Sequence, residues 1–340
     1  MRRRNTVTGI GVLVLVALFI ASGSLYAQEK SIKLRLSNFH PPTHPVTKLT
    51  QEWAKEVEKQ TNGRVKVTVF PGSTLTPPMQ TYDSVVKGIA DIGMSMFAYS
   101  PGRFPLSEIL QRPLGFADGY QATKVANAYF KQFKPKELDD TQVMYLHGGS
   151  NTQFSTRPAI SSVDDIKNLR IICNADSAAM VTALGGAPVT IPVTDSYDAL
   201  NKGLCDGVLF VIEAMKGFKI AEVVKYSLVD RAVVYSAGHY VVMNKDKWNS
   251  ISNADQKIIE KINEEWIEKQ GRQWAALEKD AMEYAAQKGV KFVYASKEQE
   301  ARTAERLKPV LDKYVSDMKA KGLPGDEVLK FCLNYIKTHP

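Results

Sequence analysis

Cysteine is scarce in this chain. Only Cys173, Cys205 and Cys332 occur in 340 residues, and they form neither a C-x-x-C pair nor a cluster with histidines. That excludes zinc sites of the usual spacing and thioredoxin-like chemistry, and leaves buried thiols as the expectation. A Gly-x-Ser-x-Gly elbow and a Walker loop are also missing, so the common hydrolase and nucleotide-binding signatures do not apply. Histidines number five. His40 and His44 are four residues apart, but Pro41 and Pro42 between them preclude the regular helix that would set both on one face, so they do not read as a metal pair. Neither a metal nor a cofactor is expected, and the chain is not read as an enzyme. The apolar run Ile10–Ala21 falls short of the roughly 20 residues needed to span a bilayer. Internal repeats and low-complexity stretches are absent, which excludes solenoids and fibres.

What is present is ordinary globular composition, with 44% hydrophobic and 24% charged residues. The length points to two domains. Arg2, Arg3 and Arg4, the apolar run and small residues up to Ala27 read as a secretory signal over residues 1–27, which places the protein in the periplasm. Removing those three arginines lowers the formal charge from +8 to +5. The remaining lysines are interleaved with acids, as in Glu56-Val57-Glu58-Lys59, so nucleic acid is not an expected partner. The pairs Asp139-Asp140 and Asp164-Asp165 stand beside helix starts, where capping accounts for them.

Strand and helix patterns alternate twice. Ile32, Leu34 and Leu36 alternate with Lys33 and Arg35 as in a strand, a helix pattern follows over 46–60, and strands are predicted at 64–70 and 91–97. The alternation resumes with strands at 143–147, 169–173, 189–191 and 207–211. Two parallel α/β lobes are therefore predicted. Between Ser252 and Gly289, apolar Ile259, Ile262, Trp266, Trp274, Leu277, Ala281 and Ala285 recur at helical spacing. A helix of this length would run roughly 54 Å, farther than one lobe is wide, so it is predicted to span both. The alternative is a kink at Gly271.

An exported two-lobed chain without a catalytic constellation reads as a solute receptor whose ligand lies in the crevice between lobes. Several motifs carry a resemblance. They include Gly63-Arg64-Val65-Lys66-Val67, Phe70-Pro71-Gly72, Gly88-Ile89-Ala90-Asp91-Ile92 and Pro101-Gly102-Arg103-Phe104-Pro105. They continue with Val163-Asp164-Asp165-Ile166-Lys167-Asn168-Leu169, Ala183-Leu184-Gly185-Gly186-Ala187-Pro188, Gly203-Leu204-Cys205-Asp206-Gly207 and Met243-Asn244-Lys245-Asp246-Lys247-Trp248. In this order and spacing they resemble the substrate-binding subunit of tripartite ATP-independent periplasmic (TRAP) transporters, the DctP-type receptors, over essentially the whole mature chain. The resemblance implies a two-lobed, periplasmic binding protein-like α/β fold with a long helix spanning both lobes. It also implies capture of a small organic solute, usually an acid, for a permease with a small and a large membrane subunit. Lobe I is expected over 28–149 with 238–277, and lobe II over 150–237 with 278–340. A sensory subunit feeding a receptor kinase, and an exported enzyme with a site assembled from distant residues, are the alternatives.

The chain departs from the family at the ligand clamp. Where most members carry an arginine that grips the ligand carboxylate, this sequence has Ile172, and Arg170 stands two residues earlier. A two-residue register slip would make Arg170 the clamp. Without it, the pocket is apolar. The expected binding residues are Phe39, Met96, Tyr99, Thr152, Gln153, Ile172, Phe210 and Glu213, with Val193, Asn38 and His147 nearby. Glu213 either accepts a hydrogen bond from the ligand or pairs with Lys216. The expected ligand has an apolar body and no clamped carboxylate.

Overall fold

The computed structural model describes residues 31–340. The expected signal over 1–27 lies outside them. The first sheet holds β1 (Ile32–Asn38), β2 (Val65–Phe70), β3 (Ile92–Met96), β4 (Thr141–His147) and, from much later in the chain, β10 (His239–Asn244). The second holds β5 (Thr152–Thr156), β6 (Arg170–Cys173), β7 (Ala187–Thr190), β8 (Gly207–Val211), β9 (Tyr226–Val229) and β11 (Lys291–Tyr294). The orders are β2-β1-β3-β10-β4 and β11-β9-β5-β8-β6-β7. Most pairs are parallel, as the strand–helix alternation predicts, but neither sheet is wholly so. β10 runs antiparallel to β3 and β4, and β5 runs antiparallel to β8 and β9. Both are the strands at which the chain enters one lobe from the other, so they arrive from the opposite end of the sheet.

The chain makes two of these crossings side by side. One follows β4 through Gly148 and Gly149, the other precedes β10, and a bridge between Asn151 and Ser236 ties them together. Gly148 is required by close approach, since a Cβ there would lie 2.5 Å from Ala122 Cβ and 2.6 Å from Ser236 Oγ.

Five longer helices complete the fold: α1 (Pro45–Gln60), α2 (Gly119–Phe133), α3 (Asn253–Gln287), α4 (Lys297–Ala320) and α5 (Gly325–Thr338). The 35 residues of α3 are unbroken. Ser252 caps its start by accepting from the Asp255 N–H, and Gly289 follows its end at φ +83°. The helix continues through Gly271, whose missing side chain admits Tyr120 of α2, because a Cβ there would lie 2.9 Å from the tyrosine ring. Along α3, Ile259, Ile262, Trp266 and Trp274 join the core beneath the first sheet, while Ala281 and Ala285 join the core of the second lobe. The predicted spanning helix is present.

The C-terminal segment differs from the expectation that 278–340 lies wholly with lobe II. On α4, Leu307 and Val310 pack in the second lobe, whereas Tyr314 and Met318 pack with Phe104, Leu106 and Tyr129 of the first. Tyr314 donates to the Leu106 carbonyl at 2.9 Å. α5 then lies against α2, with Val328 and Cys332 in the first lobe's core. At 24 residues, α4 is long enough to bridge both lobes, and its apolar stripe continues across the junction. All three cysteines are free and buried.

Candidate functional site

The ends of β1, β3 and β4 and the start of antiparallel β10 lie on one edge of the first sheet. They carry Asn38 and Phe39, Met96, His147 and His239, with His239 directly opposite both Met96 and His147. The ends of β6 and β8 face them from the second lobe with Ile172 and Phe210, followed by Asn174 and Glu213. Open α/β sheets place ligands outside the carboxyl ends of their strands, and a narrow cavity, with about 30 Å³ of free space, lies at this junction.

Its apolar wall is made by Phe39, Met96, Val193, Phe210, Phe218 and Trp274, and its polar wall by His40, Asn174, Glu213 and His239. The expected residues divide accordingly. Phe39, Met96, Phe210 and Glu213 line the cavity. Ile172 is fully buried in the same apolar cluster without forming the lining, and Tyr99 lies in that cluster too. Tyr99 reaches across the lobes, its hydroxyl accepting from the Val193 N–H at 3.3 Å.

Thr152 and Gln153 are not brought to the cavity. Thr152 Oγ1 is committed to the backbone, donating toward the Val233 and Tyr235 carbonyls and accepting from the Tyr235 N–H. Gln153 Oε1 accepts from Ser227 Oγ at 2.7 Å. Arg170 is also elsewhere. It is half-exposed at the start of β6, donates to both carboxylate oxygens of Asp206 at 2.9 and 3.0 Å, and donates to the Gly203 carbonyl. Arg170 is not among the residues lining the cavity, and in β6 it is Ile172 that stands opposite Val208 of β8. Glu213 is not paired with Lys216, which is held by Asp280 of α3 at 2.7 Å; its partner is His44, whose Nε2 lies 2.7 Å away.

Four of the five histidines converge here, which the sequence did not reveal. His147 and His239 stack with ring centroids 4.5 Å apart at 14°, and His40 lies 4.5 Å from His44 and 5.8 Å from His239. Trp274 of α3 joins them by donating its Nε1–H to His147 Nδ1 at 3.0 Å. Stacked rings turn their faces, not their nitrogens, to one another, and among the described residues no group of three His, Cys, Asp or Glu is arranged to hold a metal. Burial depresses the basicity of His40 and His239 well below the usual histidine range, with the neighbouring imidazoles adding to it, and lowers His147 to about 4. These rings are therefore neutral at pH 7. The signal for this cluster was non-local: His239 meets His147 only because β10 inserts between β3 and β4.

His44 Nδ1 accepts from the Val46 N–H at 3.1 Å as the N-cap of α1, and its Nε2 lies 2.7 Å from Glu213 Oε1. The tautomers of the neutral His40 and His239 rings are fixed by their partners. His40 Nδ1 lies 2.9 Å from Asn38 Oδ1, an oxygen that already accepts from the His40 backbone N–H, so Nδ1 donates. His239 Nδ1 donates to the Ala237 carbonyl at 2.6 Å.

Comparison with known proteins agrees with this architecture. The family described as bacterial extracellular solute-binding protein, family 7, matches residues 36–317. The chain is 28% identical over 323 residues to a protein of Comamonas testosteroni named outer membrane transporter protein TsaT, covering 93% of this chain and 95% of that one. Among solved structures, a TRAP periplasmic solute-binding protein from Desulfovibrio salexigens superimposes with a TM-score of 0.80 at 27% identity, over 91% of this chain and 97% of its own. One from Bordetella bronchiseptica, with bound (R)- and (S)-mandelate, does so with a TM-score of 0.84 at 26% identity, over 91% and 100%.

Proposed function

Because the chain belongs to family 7 of the bacterial extracellular solute-binding proteins, we propose that it is the periplasmic receptor of a TRAP transporter, holding a small organic solute with an apolar body between its lobes. The observation that carries this reading is the largely apolar cavity at the facing strand ends. It is bounded by contacts that exist only when the lobes meet: Tyr99 to Val193 and His44 to Glu213.

We take lobe I as 28–149 with 238–277, and lobe II as 150–237 with the chain from 278 to about 310, α5 returning to lobe I. The protein's own residues bind, desolvate and release; no bond in the solute is made or broken. The filled, closed form is what a permease of one small and one large membrane subunit would recognise, with transport driven by an ion gradient. Export by the segment over 1–27 belongs to the same reading.

Native mass spectrometry of the protein as purified tests it. A retained small molecule, released intact on denaturation and rebound in stoichiometric amount, is the expected result. Chemical conversion of that molecule on prolonged incubation would overturn the receptor reading.

A further inference from the structure

Taking the receptor reading as its premise, the geometry points to a ligand class: we propose that the cavity receives a ligand with an apolar body through hydrogen-bond donors that the ligand itself carries, a hydroxyl or an ammonium group, and not through a carboxylate.

Few polar atoms remain free at the wall. The ring and hydroxyl donors of the lining residues are engaged, and the one ring donor left over is the Nε2–H of His147, which stacks on His239 and has no partner. Trp274 Nε1–H goes to His147, the Tyr235 hydroxyl is directed to Ser177 Oγ and the Leu209 carbonyl at 3.2 Å, and the Nδ1–H groups of His40 and His239 go to Asn38 Oδ1 and the Ala237 carbonyl. What is left on both histidines is Nε2, a lone pair in that tautomer, and neither has a partner among the described residues. Burial keeps both rings neutral, so these nitrogens accept. Glu213 adds a buried carboxylate. Asn174 is buried with its side-chain Oδ1 unpartnered, and its amide can serve in either sense.

Neither lysine nor arginine lines the cavity. Arg170 is engaged by Asp206 on the outside, and Arg112 by the Asp176 carbonyl and Glu108. A carboxylate placed here would meet two lone pairs and a second carboxylate, with one amide and the single N–H of His147 to solvate it and no counter-charge. An anion buried without a counter-charge is strongly disfavoured. A hydroxyl or ammonium group meets the complementary set, and the rings of Phe39, Phe210 and Trp274 favour an aromatic or cationic body.

The test uses four probes that share a phenyl ring and one attached carbon, on the full mature protein after its retained molecule has been removed by unfolding and refolding: benzyl alcohol, benzylamine, benzoate and toluene. Trp274 lines the cavity, so its fluorescence reports occupancy, and calorimetry gives affinity. At least one of the two donor probes is expected to bind tenfold or more tightly than both benzoate and toluene. Glu213→Gln separates the sources, weakening benzylamine at least tenfold while leaving benzyl alcohol within threefold. His239→Phe keeps a ring against His147 and is expected to weaken the preferred donor probe about tenfold without weakening toluene, in protein whose circular dichroism is unchanged. Benzoate binding as tightly as the better donor probe, or neither donor probe binding, would overturn this inference. Either result leaves the receptor reading standing, which falls only if a bound molecule is chemically altered.

Discussion

His44 Nε2 and Glu213 Oε1 lie 2.7 Å apart, both side chains buried, one at the start of α1 in the first lobe and the other just after β8 in the second. His44 has two tasks, because its other nitrogen caps α1. The two substitutions at this contact should therefore differ. His44→Ala loses the cap, about 1 kcal/mol, and leaves the carboxylate of Glu213 buried without its partner. Glu213→Gln keeps the cap and most of the shape. A double-mutant cycle by urea denaturation should give a coupling of about 1–3 kcal/mol. A coupling of zero would mean that the contact does not hold the lobes together.

Tyr99→Phe tests the other cross-lobe contact. The ring is buried in the apolar cluster and should stay there, while the Val193 N–H loses its acceptor. Leaving a buried donor unmet costs about 1–3 kcal/mol, and only when the lobes are shut. Affinity for the retained ligand should fall roughly tenfold by calorimetry, with the melting temperature of ligand-free protein nearly unchanged. An equal loss of stability without ligand would mean that the contact persists in the empty protein.

Arg170→Ala addresses the residue that two-residue register reasoning would have made a clamp. Its guanidinium is bound to Asp206 and Gly203 at the surface, and the charged pair holds the Asp206 carboxyl below the usual carboxylate range. Exposed pairs of this kind contribute about 0–1 kcal/mol. Ligand affinity should remain within twofold of the parent by calorimetry. A tenfold loss would bring Arg170 into the binding site and reopen the question of a carboxylate ligand.

How much of this was legible depended on sequence distance. Local patterns carried the elements: the apolar stripe from Ile259 to Ala285 gave the spanning helix and Ser252 and Gly289 its ends, while the family resemblance placed Phe39, Met96 and Phe210 at the cleft. What failed was pairing between distant segments. Lys216 is three residues from Glu213 and was the natural partner by proximity, but Asp280 on α3 takes it. Thr152 and Gln153 lie on a cleft-adjacent strand, yet their polar atoms are consumed by segments 74 to 83 residues away in sequence. The histidine cluster needed β10 between β3 and β4, a placement that no periodicity encodes.

The pH dependence of the junction can be read from Glu278, on α3 beside the crossing strands. Its Oε2 accepts from the Asn151 N–H at 3.1 Å, but burial, with the like charge of Asp118 adding to it, raises its carboxyl from 4.5 to about 7. The folded protein thus retains a proton that the unfolded chain has released. This contribution to stability is complete below pH 4.5 and is lost progressively as the pH rises to about 7. The depressed histidines run the other way, gaining stability as the pH rises, but they are common to the parent and to Glu278→Gln and cancel in the comparison. The glutamine variant should therefore gain relative to the parent between pH 5 and pH 8, by about 2 kcal/mol once solvent screening at this partly exposed side chain is allowed for. Paired urea titrations at the two pH values measure it. A constant difference would mean that Glu278 titrates alike in both states and takes no part in how the lobes respond to pH.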